Sequence, residues 1–443
     1  MKINVTAFLL AATAMLFSIE SALAKSTLMD VYLDAVDNDP EIRAEYALYQ
    51  AQISNQDKTS GNLLPSVVLT GEIARNREDV ETGSGATGTS GLTYFDSNLL
   101  ALTIKQPLYR KDIFSDIDIQ QAKTRVAEYE YRNAEHEFIM RIVQRYLAVL
   151  ASRNELHYLN TEKNAISEQL ANTKKRYKAG INTNADLYEA QATFDLAAAQ
   201  VIVAETNLFD ANAALEEVTN KTYVDITDLQ HNFKPVYDGP ADIAHWIETA
   251  NDKNPELIAS RYRVESLRYE LERAGAGHYP KLDLVAKYSN EDTGGRFGES
   301  ETDDQSISLQ LEFPIYEGGK VSAGIRESNS RLNAEQEHFT RTHRLVKREI
   351  SKAFKSVSST VNRVNALKQA VKSADAALSA IKSGYKAGSR TSSDVLDAQK
   401  ELFKARRDHF QEQYKYVVSY LKLKQLAGTL SSDDVKHVTH WFK

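Results

Sequence analysis

Two patterns of apolar spacing divide this chain. Leu187, Ala190, Phe194, Ala197, Val201, Ala204, Leu208, Ala211 and Leu215 recur every three or four positions, as do Val364, Leu367, Val371, Ala374, Leu378, Ile381 and Tyr385. Such a stripe predicts a coiled-coil seam, in which small alanines between larger knobs let helix axes approach. Neither Gly nor Pro falls within 108–179, 181–234, 325–383 or 389–427. The helices these gaps outline are long: about 60 residues span ~90 Å. The stripes read as core.

Four shorter segments change period from helix to strand. Val67, Leu69 and Ile73 alternate with Val68, Thr70 and Glu72, and Leu100, Leu102 and Ile104 with Ala101, Thr103 and Lys105. Leu282, Leu284, Ala286 and Tyr288 alternate with polar neighbours, and Ile307, Leu309, Leu311 and Phe313 with Ser308, Gln310 and Glu312. The strands are expected near 65–76, 94–107, 280–290 and 305–315. The links 76–93 and 291–304, rich in Gly, Ser, Thr, Asp and Glu, read as exposed loops. One apolar and one mostly polar face suits a membrane β-barrel with a wet lumen; a half-exposed soluble hairpin looks similar. Tyr109, Tyr279, Phe313 and Tyr316 cluster beside prolines where strands meet helices. They suit either a membrane–water interface or plain aromatic packing. Four strands cannot close a barrel, and a bilayer tolerates no open sheet edge. Membrane-spanning strands therefore require several chains per barrel, and three would supply twelve.

The chain is also duplicated. RYKAGINTNADLYEAQ (176–191) recurs as GYKAGSRTSSDVLDAQ (384–399), so one helix–turn–helix tip occurs twice, 208 positions apart. Asp39-Pro40 and Asn254-Pro255 open two shorter helices of about 20 residues in matching places, each ending near a proline at Pro65 and Pro280. The organisation expected is a signal peptide over 1–24, a first repeat over 25–240 with its tip near 177–186, a second over 241–430 with its tip near 385–394, and a tail over 431–443. The signal rests on Lys2, an apolar run at 7–17 too short to span a bilayer, and the A-x-A site Ala22-Leu23-Ala24.

Composition removes several function classes. There is no cysteine, hence no disulfide, thiol nucleophile or Cys-based metal site, and a net charge of −7 argues against nucleic acid. Residues 83–88 (GSGATG) fit G-x-G-x-x-G, but no helix follows to hold a phosphate. His437 and His440 form a lone H-x-x-H that reads as part of a mobile tail rather than a metal site. No cofactor and no catalytic residue is expected, and the protein is not read as an enzyme.

The tip motifs, the ending LKLKQLAGTL (421–430), NDPEIRA (38–44), KNPELIA (253–259), QPLY (106–109) and FPIYEGGK (313–320) together resemble the outer-membrane factor family, in its TolC-like branch. The resemblance runs to about Leu430. It implies an α+β membrane protein: a trimeric outer-membrane β-barrel, four strands per chain, continued by a long α-helical periplasmic tunnel. The implied role is the exit duct of a Gram-negative export system for drugs or secreted proteins. Its implied partners are two further copies, a periplasmic adaptor, an inner-membrane transporter of ABC, RND or MFS type, and outer-membrane lipid. A periplasmic or surface coiled-coil spacer is the alternative; it would leave the four strands unexplained.

The same resemblance assigns roles by position. Asp394 and Asp397 match entrance aspartates, implying a pore constriction that selects cations. They lie three apart on one helix face, so three chains would form two acidic rings. Asp186, Tyr385 and Arg390 match links that hold the tunnel shut. Ala179-Gly180 and Ala387-Gly388 match the adaptor-docking tips, and Glu189 adds an acid to the first tip. Simpler roles exist for some of these. Thr183-x-x-Asp186 and Thr391-x-x-Asp394 are capping boxes, and a tight turn wants glycine in any case.

Overall fold

The computed structural model describes residues 25–80, 91–230, 233–237, 239–294 and 298–442. The expected signal segment and the GSGATG stretch lie outside these residues. In chain order the elements are α1 (Leu28–Asn38), α2 (Pro40–Ser60), β1 (Ser66–Val80), β2 (Gly91–Arg110), α3 (Lys111–Lys178), α4 (Asn184–Thr219), α5 (Ile243–Lys253), α6 (Pro255–Gly275), β3 (Lys281–Thr293), β4 (Ser300–Glu312), α7 (Lys320–Lys386), α8 (Ser392–Leu426) and α9 (Ser432–Thr439). Two compact units result: Met1–Tyr46 with Tyr131–Leu257 and His343–Lys443, and Ala47–Glu130 with Ile258–Thr342. Each draws on both halves of the duplication.

The second unit carries one four-stranded antiparallel sheet in the order β1-β2-β3-β4. Directly paired residues share a face. Val67 pairs with Ile104, Ile104 with Ala286 and Ala286 with Ile307; Leu69 pairs with Leu102, and Leu284 with Leu309. That face is apolar. The opposite face holds Thr70, Glu72, Lys105, Lys287, Ser306 and Asp304 in the same register. Large apolar side chains stand bare on the edge strands: Ile73 is 86% exposed and Ile307 80%. β1 and β4 have no partner on their outer sides among the described residues. A bare apolar face and two open edges are incompatible with a single chain in water.

The strands run past the expected bounds into the links read as loops. Glu78 pairs with Thr93, Asp79 with Leu92, and Asp292 with Glu301. Backbone pairing continues where the apolar alternation has stopped, so hydrophobic period alone ends each strand too early.

The strand-to-helix junctions differ between the halves. β2 passes into α3 at Arg110–Lys111 with no intervening loop. Arg110 pairs with Asp112 at 2.8 Å and lies 3.6 Å from Asp283, which Lys105 also approaches at 2.9 Å. In the second half, seven residues separate Glu312 from Lys320, including Gly318 and Gly319 at φ 63° and 81°.

The first unit packs its helices around one large core. From α3 come Phe138, Ile142, Val143, Tyr146 and Leu150; from α8, Tyr416, Val417 and Leu421; and from α1, Leu28 and Val31. The Tyr146 hydroxyl donates to the Thr227 carbonyl at 2.6 Å, which satisfies a buried phenol. Of the expected seams, Ala190, Ala197, Val201, Ala204 and Leu215 are buried on α4, and Val364 and Leu378 on α7.

The tail, read as mobile around His437 and His440, is packed against the core. Val435, Val438 and Phe442 are buried in this core, Leu229 bridges to Phe442, and Asp434 forms a capping box with Ser431 and an ion pair with Lys424. His437 meets Trp441 edge to face, with ring centroids 5.5 Å apart.

Candidate functional site

Both hairpin tips are built the same way. α3 ends in a Schellman turn, with the Ile181 N–H donating to the Arg176 carbonyl at 2.9 Å and the Gly180 N–H to Tyr177 at 2.9 Å. α7 ends likewise, with Ser389 donating to Gly384 at 2.9 Å and Gly388 to Tyr385 at 3.1 Å. Gly180 and Gly388 take φ 74° and 79°, the left-handed conformation such a turn demands. Capping boxes then start the return helices. Thr183 and Asp186 exchange backbone and side-chain bonds at 2.8 and 3.2 Å, Thr391 and Asp394 at 2.8 and 3.1 Å. Both threonines keep extended backbone as N-caps.

The two tips meet across a cavity of ≈ 360 Å³ whose lining includes Arg176, Asp186, Glu189, Tyr385, Arg390 and Ser393. The structure thus brings together Asp186, Tyr385, Arg390 and the extra acid Glu189, four residues singled out from sequence. The Arg176 guanidinium reaches the Tyr385 hydroxyl at 3.5 Å and lies 5.6 Å from its ring centroid. That is a weak hydrogen bond reinforced by cation–π attraction. Ser393 donates to Glu189 at 3.4 Å. No ion pair within 4 Å joins Arg176 or Arg390 to Asp186 or Glu189 among the described residues.

Sequence reasoning missed Arg176, though the repeat held the signal. Arg176 and Asn182 in the first copy correspond to Gly384 and Arg390 in the second. In the first tip Arg176 crosses the turn to Asn182 at 3.1 Å. In the second, the arginine sits at the far side of the turn. Its stem lies over Gly384, where an added Cβ would fall 2.8 Å from the Arg390 Cγ. Each tip therefore folds one arginine across its turn, from opposite ends.

Asp394 is committed to its cap, and the Thr391 backbone N–H holds its carboxyl below the usual carboxylate range. Asp397, one turn further on, is exposed. Neither lines the cavity between the tips. Ala179-Gly180 and Ala387-Gly388 stand at the apex, and a Cβ on either glycine would meet nothing within 4 Å.

The shafts behind the tips differ. On and beside α4, Tyr188, Leu196, Ile202, Val203 and Phe209 are exposed, Phe209 at 71%. Among the described residues α8 exposes no large apolar side chain.

The model of the outer membrane efflux protein family matches residues 31–221 and 246–429, and the chain belongs to that family. It is an outer-membrane exit duct of a Gram-negative cell, with barrel strands in the membrane and a helical part in the periplasm. The family is one of channels rather than enzymes. Among its relatives, the outer membrane protein TolC of Vibrio cholerae is 28% identical over 97% of both chains. The proteases secretion protein PrtF of Dickeya chrysanthemi is 28% identical, covering 94% of this chain and 91% of its own. The solved CmeC outer membrane channel of Campylobacter jejuni superposes with a TM-score of 0.80 at 16% identity, covering 94% of this chain and 89% of the other. The strands and family membership together set aside a coiled-coil spacer. No described helix is long and apolar enough to cross a membrane.

Proposed function

We propose that three copies close one twelve-stranded barrel and that their hairpins gather at the opposite end, forming the outer duct of a tripartite export system. The observation that carries this is the sheet: four strands, an apolar face, and two edges without partners. A bilayer leaves closure as the only stable outcome for such a sheet, and threefold repetition reaches twelve strands. The partners are a periplasmic adaptor at Ala179-Gly180 and Ala387-Gly388 and an inner-membrane transporter of ABC, RND or MFS type. The Dickeya relative's name ties that protein to protease secretion. The cargo proposed here is accordingly drugs, secreted proteins or both.

Within the duct, Arg176, Tyr385, Arg390 and Asp186 hold the tips together, while Asp394 and Asp397 form the acidic constriction. Exposed links of this kind contribute ~0–1 kcal/mol each, so closure depends on several acting at once. The deciding experiment measures native mass in detergent and, in a clean deletion strain, drug susceptibility and secreted protein. Three chains per particle and a deletion defect restored by the gene are expected. A stable monomer retaining all its strands would refute the duct.

A further inference from the structure

The two open edges carry opposite charge on the apolar face, at the ends remote from the helices. On β4 (Ser300–Glu312) the face that bears Ile307, Leu309 and Leu311 continues outward as Gln305, Asp303 and Glu301, and β4 contains no Lys or Arg. On β1 (Ser66–Val80) the face that bears Val67, Leu69 and Ile73 continues as Arg75 and Arg77, with Asp79 beyond. Within one chain these groups are poorly satisfied. Arg75 lies 3.9 Å from Asp96, with the two side chains 80% and 74% exposed. Among the described residues Asp303 accepts from the Tyr288 hydroxyl at 3.2 Å and the Asn290 amide at 3.1 Å, both neutral.

Edge charges commonly keep strands from pairing. That role does not call for one sign on one edge and the other sign on the other. We propose that β4 of one copy pairs with β1 of the next, with Glu301 and Asp303 facing Arg75 and Arg77, and that this match sets the register of the seam. The inference rests on the shared-barrel reading and names the contact that closes it.

Barrel geometry supports the register independently. Within the sheet Ile73 is level with Asn98, Asp292 and Glu301. Closing a flat ribbon at that level would set Glu301 against Ile73 and leave the strands untilted. A strand tilt of about 35–45° requires the seam to slide by about four to six residues for every four strands, given ~3.3 Å per residue and ~4.8 Å between strands. Sliding one way places Glu301 against Leu69, in the middle of the apolar band. Sliding the other way by four residues sets Leu309 beside Leu69, Asp303 opposite Arg75 and Glu301 opposite Arg77; sliding by six sets Asp303 opposite Arg77 but Glu301 opposite Asp79. Only this direction aligns both the apolar bands and the charges. The contact is heterologous, and repetition about a threefold axis closes it into a ring.

The test uses the full-length chain in outer membranes. Asp303→Arg alone, or Arg75→Asp with Arg77→Asp, should lower the temperature at which the trimer band converts to monomer, and combining all three should restore much of the loss. A combination no more stable than its weaker parent overturns the charge match. The natural chain has no cysteine, so Asp303→Cys paired with Arg75→Cys or with Arg77→Cys gives a clean second readout. One of the two pairs should link neighbouring copies on oxidation, and failure of both in assembled trimers overturns the register. If reversal prevents assembly, the neutral pair Asp303→Asn and Arg75→Gln supplies the same comparison. Failure of the unaltered chain to form trimers would instead defeat the barrel reading itself.

Discussion

The dipeptide Ala-Gly ends three long helices of this molecule, twice at the hairpin tips and once at the base of α8, and its surroundings differ completely. Gly428 adopts φ 72°, in the same range as Gly180 and Gly388, and Thr429 closes the same Schellman turn by donating to Lys424 at 2.9 Å. At the tips a Cβ would enter open space; at Gly428 it would lie 2.1 Å from the Lys253 carbonyl oxygen. Asn254 secures that approach, donating to the Leu426 carbonyl at 2.8 Å and accepting from the Leu257 N–H at 2.9 Å. One turn chemistry thus serves two purposes. At the base it brings two backbones together, whereas at the tips the glycine faces open space.

The sharpest way to break this comparison is to add a methyl group at each site. Gly428→Ala should cost ~3 kcal/mol or more, combining backbone strain with overpacking, and should abolish assembly of the trimer. Gly180→Ala and Gly388→Ala meet only the left-handed penalty, ~1–2 kcal/mol. Equal losses in heat-resistant trimer for all three would erase the distinction between base and tip.

The next effect separates turn from docking surface. Tryptophan at both Gly180 and Gly388 should leave trimers in the outer membrane while drug susceptibility rises to that of a deletion strain. Trimers that vanish would show that the tips, too, are purely structural.

A smaller effect is expected from the contacts between tips. Tyr385→Phe with Arg390→Ser should raise single-channel conductance in a planar bilayer, and Arg176→Ala should add to the increase. Conductance unchanged in the triple variant would remove these residues from the gate.

The smallest effects distinguish two acids on one helix. Asp394→Ala removes a cap and should destabilise the start of α8, whereas Asp397→Ala should leave stability unchanged. Both together should weaken cation selectivity and relieve block by trivalent cations from the periplasmic side. Because the folded pKa of Asp394 is depressed, its stabilisation is complete above the unfolded carboxylate value and disappears as pH falls through the folded one. Amide exchange at Thr391 should therefore quicken only below ~pH 4. Quickening that begins near neutrality would assign the cap to another group.

Much of this architecture was legible because duplication states it twice. The tips and their capping boxes follow from residues that recur 208 positions apart, and the seam of α4 from its three–four spacing. What escaped was written only once or in polar residues. The outer ends of the strands, Arg77 to Val80 and Ser300 to Asp304, pair through the backbone and carry no apolar alternation to report it. Arg176 drew no notice because its counterpart is Gly384, so the comparison that exposed shared residues hid the divergent ones. The tail holds Val435, Val438 and Phe442, too few apolar residues over too short a span to announce a helix against a core assembled from distant segments.

The junctions between strand and helix give the two halves different mechanical stiffness. Where Arg110 meets Lys111 the backbone changes form within one peptide unit, clamped by Asp112 and Asp283. A torsion applied at the start of α3 must therefore reach β2 almost undiminished. The seven residues before α7, with two glycines at positive φ, form a compliant coupling that absorbs the same torsion. Duplication has thus yielded one stiff shaft and one sprung shaft per chain. The sprung half can turn at its end without straining the sheet to which it is joined.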